Sequence, residues 1–162
     1  TTEWFEKGYD VLYLGCSSAL TGSINSFNLA KELLKETYPD REMIAVPTFA
    51  AAATLGMMVV DAAKEKEKGA SLEEVCKWVE DHRFFYNQFC TVDTLTFLKE
   101  AGRCKGTAAF FGNIMGVKPV FISDRKGNNL VIEKLRGTKA SLNAIYQHIM
   151  EDTRFYPGTF LT

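Results

Sequence analysis

The chain has 162 residues, 46% of them hydrophobic and 12% aromatic, with 19 basic side chains against 20 acidic ones and a formal net charge of −1. That is enough apolar material for one ordinary domain or two small ones, and too little positive charge to hold a phosphate backbone, so nucleic acid is excluded as the expected partner. No apolar run reaches the roughly 20 residues that span a bilayer, and no basic flank precedes an apolar block at the N-terminus, which predicts a cytoplasmic protein with at most peripheral membrane contact.

Apolar runs of β type alternate with longer stretches of helical period, the pattern of an α/β protein with a parallel sheet. "VLYLG" (11–15) is the first predicted strand. After a hydroxyl-rich turn, Ile24, Phe27, Leu29, Ala30, Leu33 and Leu34 recur at helical spacing until Pro39 ends the pattern. "MIAVP" (43–47) is a second strand, expected to pair in parallel with the first, and the alanine-rich stretch 49–69 is a second helix closed by Gly69. Ser71 begins a third helix, with Glu74 three residues on completing a capping box.

After Arg83 the composition changes, and we divide the chain there into 1–83, part of an N-terminal α/β domain, and 84–162, part of a C-terminal one. Residues 84–92 ("FFYNQFCTV") read as extended, "DTLTFLKEAGR" as a short helix ended by Gly102, and 106–116 as a helix of small residues. "VKPVFIS" and "NLVIEKL" form a predicted hairpin around a turn at 124–128. A last amphipathic helix carries Leu142, Ile145, Tyr146 and Ile149.

Four cysteines (Cys16, Cys76, Cys90, Cys104) and two histidines are scattered without metal-ligand spacing, so they predict neither a zinc site nor a disulfide framework, and no metal or cofactor is expected. The informative stretch is "GCSSALTGS" (15–23), where a strand ends in small hydroxyl residues and leads into a helix. Such a turn leaves backbone N–H groups unpaired at the positive end of a helix dipole, where an anion is stabilised. The position suits a ligand, since open parallel sheets bind beyond the carboxyl ends of their strands. The plainer alternative is that Thr21 or Ser23 caps the helix and the serines make a turn. The stretch is neither a P-loop nor a G-x-S-x-G elbow, and no histidine or acid adjoins it to activate a serine.

Three stretches resemble the DegV family in one order over roughly residues 7–142. "GYDVLYLGCSSALTGS" is similar to its strand and SS-x-L-SGT turn, "TVDTLTFLKEAGRCKG" to its V-x-x-L-x-x-L-x-x-GGR-I segment, and "IMGVKPVF" with "GNNLVIEKLRGTKAS" to its L-x-I-KP, D-G and R-T-x-K-x-A series. The resemblance implies two α/β domains that hold a long-chain fatty acid and, in some bacteria, present it to a fatty acid kinase that makes acyl phosphate. Such a protein is a carrier and not a catalyst by itself. Carried over residue by residue, Ser17 and Ser18 match the paired serines, Thr21 the third hydroxyl and Gly22 a close-approach glycine. Arg103 matches the arginine of GGR, facing the ligand head or an incoming phosphate; without the resemblance it reads as an exposed helix-end arginine.

The chain departs from the pattern at Ala101-Gly102-Arg103, in place of GGR, and at Pro47-Thr48, in place of an Asp-Ser pair, which leaves Thr48 as a substitute hydroxyl. Phe97, Phe110, Phe111, Ile114, Met115 and Phe121 are candidate tail-slot residues, each equally readable as plain core. The chain starts at "TTEWFEKGYD" without an initiator methionine and stops at "FYPGTFLT", which predicts a piece lacking the family's early T-S-x-P segment and late histidine. Two further readings compete with the carrier: a small-molecule hydrolase or transferase using Ser17 or Ser18, and a purely structural interaction domain.

Overall fold

Strand β1 (Val11–Gly15) and strand β2 (Met43–Pro47) pair in parallel, with Leu12 opposite Ile44 and Leu14 opposite Val46. Both strands read as unbroken apolar runs because helices cover both faces, which is the general condition of a parallel sheet. On one face Leu12, Leu14, Ile44 and Val46 pack against α3 (Ala52–Glu67) and α4 (Leu72–His82), around fully buried Met58 and Val79. On the other lies α2 (Ser23–Lys35), whose Phe27 stacks on Tyr13 at 5.1 Å between ring centroids. Helix α2 comes so close at its start that a Cβ on Gly15 would sit 2.8 Å from Ile24, so β1 can end in this helix only with glycine there.

The computed structural model describes residues 1–93, 98, 100–103 and 116–155, and the chain divides into two units, Thr1–Tyr86 and Asn87–Thr162. In the first unit the capping box of α4 forms as the sequence predicts: Ser71 Oγ accepts from the Glu74 amide at 3.2 Å and Glu74 Oε2 from the Ser71 amide at 2.8 Å. A short α1 (Thr2–Glu6) was not predicted, because five residues carry too little periodicity; buried Phe5 fixes it against Tyr38. Helix α3 starts at Ala52 and not at residue 49, since Phe49 (φ 59°) and the extended Ala51 (φ −140°) keep the backbone out of the helical region. In α2 the spacing overstates the buried face, for Leu29 and Leu33 are exposed.

In the second unit β3 (Val117–Ser123) and β4 (Asn129–Arg136) form the predicted antiparallel hairpin, with a bulge between Val120 and Phe121. Residues 84–92 are less regular than expected. Residues 83–85 make a 3-10 turn, and in the extended part Cys90 pairs with Phe121, exchanging two 2.9 Å backbone bonds. Neighbouring side chains tie the same stretch down: Gln88 Nε2 donates to Ser123 Oγ at 2.6 Å, and the Phe89 ring stacks on His148. Helix α5 (Thr138–Phe155) lies against both strands, and its His148 Nε2 is hydrogen-bonded to Glu133 Oε1 of β4 at 2.5 Å. Contrary to the predicted face, Leu142 and Tyr146 are exposed. Among the described residues no helix is long and apolar enough to cross a membrane. The helix predicted at 106–116 falls, but for Gly116, outside the described residues.

Candidate functional site: the hydroxyl turn beyond β1

Where β1 ends, the chain turns through Cys16 and Ser17 before entering α2. Ser17 is fully buried, and its carbonyl accepts from the amides of Leu20 (2.9 Å) and Thr21 (3.0 Å). Its hydroxyl oxygen accepts from the Ala19 amide at 3.1 Å, and Thr21 Oγ1 accepts from the Ser23 amide at 3.2 Å. Each of these hydroxyls meets the fold as an acceptor, so its own O–H remains a donor for another group. Ser18 is exposed on the same turn. Gly22, not Thr21 or Ser23, occupies the N-cap of α2, so the capping alternative survives only as the Thr21 bond to Ser23.

Gly22 contrasts with Gly15. It has φ −83°, and a Cβ there would meet nothing within 4 Å, so nothing in the chain's own described packing demands glycine.

Beyond β2 the chain makes a second turn beside the first. Thr48 is buried, its amide donating to the Gly15 and Cys16 carbonyls at 2.8 and 3.1 Å and the Phe49 amide to Cys16 at 3.1 Å. The Thr48 hydroxyl donates to the Gly15 carbonyl at 2.9 Å and accepts from the Ala50 amide at 3.2 Å. Its single proton is therefore committed to joining the two turns, and it would have to leave Gly15 before it could serve a ligand. Helices α2 and α3 both start at this end of the sheet, and neither has a side-chain cap or an acidic residue in its first turn. Two positive helix ends and two spare hydroxyl donors thus meet at the carboxyl ends of adjacent parallel strands, an arrangement that favours a negatively charged group.

Arg83 was missed in the sequence. It ends α4, donates from Nη1 to the Pro47 carbonyl at 2.9 Å, and lies over the rings of Phe49 (4.6 Å) and Phe84 (5.2 Å). Only the aromatic residue following it could have drawn attention. Arg103 belongs to the second unit, exposed, with its amide bonded to the Leu98 carbonyl at 3.0 Å across Gly102 (φ 66°), the seal of a glycine-ended helix. Of the candidate tail-slot residues Phe121 is buried, whereas Phe97, Phe110, Phe111, Ile114 and Met115 lie outside the described residues, as does Cys104. Cys76 and Cys90 have thiols pushed up by burial, which makes them inert. The groove that the first unit does present, about 280 Å³ between Phe5, Lys31, Leu34, Tyr38 and Arg41, is at the opposite end of the strands. Met43 and Ile44 at the start of β2 line it, away from the paired helix starts.

The fold and this turn define an α/β protein with a hydroxyl-rich turn and two helix starts beyond a parallel strand pair. The chain belongs to the DegV family, whose model, described as "Uncharacterised protein, DegV family", matches residues 1–158. It is 37% identical over 147 residues to a DegV domain-containing protein of Clostridium perfringens, covering 91% of this chain and 50% of that protein. Among solved structures it is similar to a fatty-acid-binding DegV family protein of Thermus thermophilus (33% identity, TM-score 0.72, 93% of this chain and 51% of that one). It is also similar to a DegV lipid-binding protein of Thermotoga maritima (27% identity, TM-score 0.77, 93% and 51%). The chain spans about half the length of the relatives it matches.

Proposed function

We propose that this chain is part of a fatty acid carrier, with the acid's carboxylate at the turn 16–22 and its tail in an apolar slot. The observation that carries the reading is that Ser17 and Thr21 accept bonds from the backbone, which leaves their protons for an acceptor that is not part of the fold. A buried carboxylate without donors costs several kcal/mol, while transfer of the tail from water contributes about 0.8 kcal/mol per methylene, roughly 10 kcal/mol gross for a long chain. Donors at the head are therefore enough, and no full counter-charge is required. Gly22 leaves room for such a head group, and Thr48 holds the two turns together. The similarity to fatty-acid- and lipid-binding proteins points to the same ligand class.

A hydrolase using Ser17 or Ser18 is disfavoured, because among the described residues neither hydroxyl is hydrogen-bonded to a histidine or carboxylate that could take its proton. Denaturing the purified full-length protein and identifying the released lipid by mass tests the carrier reading; a long-chain fatty acid is expected, and turnover of an ester or phosphate with no lipid released would replace it.

The family resemblance extends the proposal to presentation. Arg103 serves acyl transfer in a complex with a fatty acid kinase, as a fixed cation beside developing phosphate charge. Arg103→Ala should then leave lipid affinity nearly intact and sharply reduce acyl phosphate formation when kinase and nucleotide are supplied. A fall in lipid affinity instead would move Arg103 to the carboxylate, and wild-type values for both would remove it from the function.

A further inference from the structure

Arg83 takes no part in the fatty acid reading, yet its surroundings are unusual for an arginine. The guanidinium lies over both Phe49 and Phe84, whose ring centroids are themselves 5.8 Å apart, and its Nε is buried without a hydrogen-bond partner among the described residues. A dry, unpaired N–H of a cation is unfavourable, so something else must be gained by the placement. The loop it touches supplies the reason. Phe49 sits at φ 59° and Ala52 at φ 47°, conformations that cost a side-chain-bearing residue about 1–2 kcal/mol each and persist only where the surroundings over-determine them. Arg83 acts on that loop twice, through the bond from Nη1 to the Pro47 carbonyl before it and through the face of the Phe49 ring. The loop in turn bonds the Cys16 carbonyl through the Thr48 and Phe49 amides, directly before Ser17.

We infer that Arg83 is a positioning residue of the ligand site: its guanidinium clamps the loop 47–52 with Phe49 and Ala52 in their left-handed conformations, and the clamped loop fixes the Cys16–Ser17 backbone that presents the hydroxyls. The ligand in this inference rests on the fatty acid reading; the clamp does not. Only arginine suits the role, since a planar guanidinium stacks on a ring and donates to a carbonyl at once, whereas an ammonium is a compact point charge.

The test uses the full-length protein with Arg83→Ala, Arg83→Lys and the double variant Arg83→Ala/Phe49→Gly. Amide exchange at Thr48 and Phe49 is followed without lipid, and affinity is measured for palmitate. In Arg83→Ala, exchange at the two loop amides should rise about tenfold or more while the Val79 amide in the core keeps its protection, and palmitate affinity should fall about tenfold, the scale of one strained residue released. Arg83→Lys should restore neither. Adding Phe49→Gly should recover most of the affinity, because glycine adopts the left-handed conformation without a clamp. Unchanged loop exchange in Arg83→Ala, full restoration by lysine, or no recovery with Phe49→Gly would each overturn the inference. If Arg83→Ala loses protection throughout, Arg83→Lys alone decides by the same loop-against-core comparison. A wild-type protein that binds no palmitate refutes the fatty acid reading and leaves the exchange measurements to judge the clamp.

Discussion

Three hydroxyls that look interchangeable in sequence play different parts in the structure. Ser17 and Thr21 receive backbone N–H groups and keep their protons, whereas Thr48 gives its proton to Gly15. Replacing Ser17 and Ser18 together by alanine in the full-length protein should therefore weaken fatty acid binding by about 1–3 kcal/mol, the cost of leaving a buried acceptor short of donors. Titration with a fluorescent fatty acid measures this, and unchanged affinity would place the carboxylate elsewhere. Thr48→Val should instead lower the unfolding midpoint, because the Gly15 carbonyl loses a buried donor. The hydroxyl-rich turn was legible because several small polar residues follow an apolar strand. What each hydroxyl donates to was not, since that depends on a second turn some thirty positions away in the chain.

At the scale of elements, the first unit ends in a polar clasp. Tyr86 Oη donates to Asp61 Oδ2 of α3 at 2.7 Å, and Lys64 bonds the other oxygen of the same carboxylate at 2.8 Å. Burial, with the Asp61 carboxylate beside it, pushes the Tyr86 phenol far above its ordinary value of 10.0. Lys64 foremost, and Tyr86 next, hold Asp61 below the usual carboxylate range. For the phenol the folded state keeps its proton above pH 10, where the unfolded chain has begun to lose it. Folding then binds more protons than unfolding, and stability falls as pH rises from there. Comparing urea midpoints near pH 8 and near pH 10.5 should show a larger loss for the wild type than for Tyr86→Phe, which has no proton to retain. Equal losses would mean that Tyr86 does not govern the alkaline limb. Part of this effect is screened, because Asp61 is partly open to water.

For the whole molecule, the prediction concerns ligand linkage. If the chain is part of the proposed carrier, the full-length protein gains stability from its ligand by mass action, about 2.7 kcal/mol when free ligand is a hundredfold above the dissociation constant. Stripping lipid from the full-length protein should lower its thermal midpoint, and adding a long-chain fatty acid back should restore it, whereas a short-chain acid with the same head group should not. A midpoint indifferent to lipid would leave the tail without a binding slot. Leu29 and Leu33 on α2, Val59 and Val60 on α3, and Leu142, Tyr146 and Met150 on α5 are exposed apolar rows in a chain that spans about half the length of its relatives. Helical spacing alone cannot separate such rows from core, because periodicity records which residues share a face and not what covers it.

The sequence by itself determined the α/β class, the parallel pairing of β1 with β2, the hairpin of β3 and β4, the capping box at Ser71 and the hydroxyl-rich turn beyond β1. The elements, the hairpin and the cap arise from neighbours in the chain, through strand and helix periods, turn residues and a cap three residues from its partner, while the parallel pairing of β1 with β2 follows from the strand–helix–strand order. Only the tertiary structure decided where α3 begins, which hydroxyls keep their protons, and that Arg83 meets two rings and the Pro47 carbonyl of a strained loop. Those depend on contacts such as Thr48 with Gly15 and Arg83 with Pro47, more than thirty residues apart in sequence, where no local pattern records which groups meet.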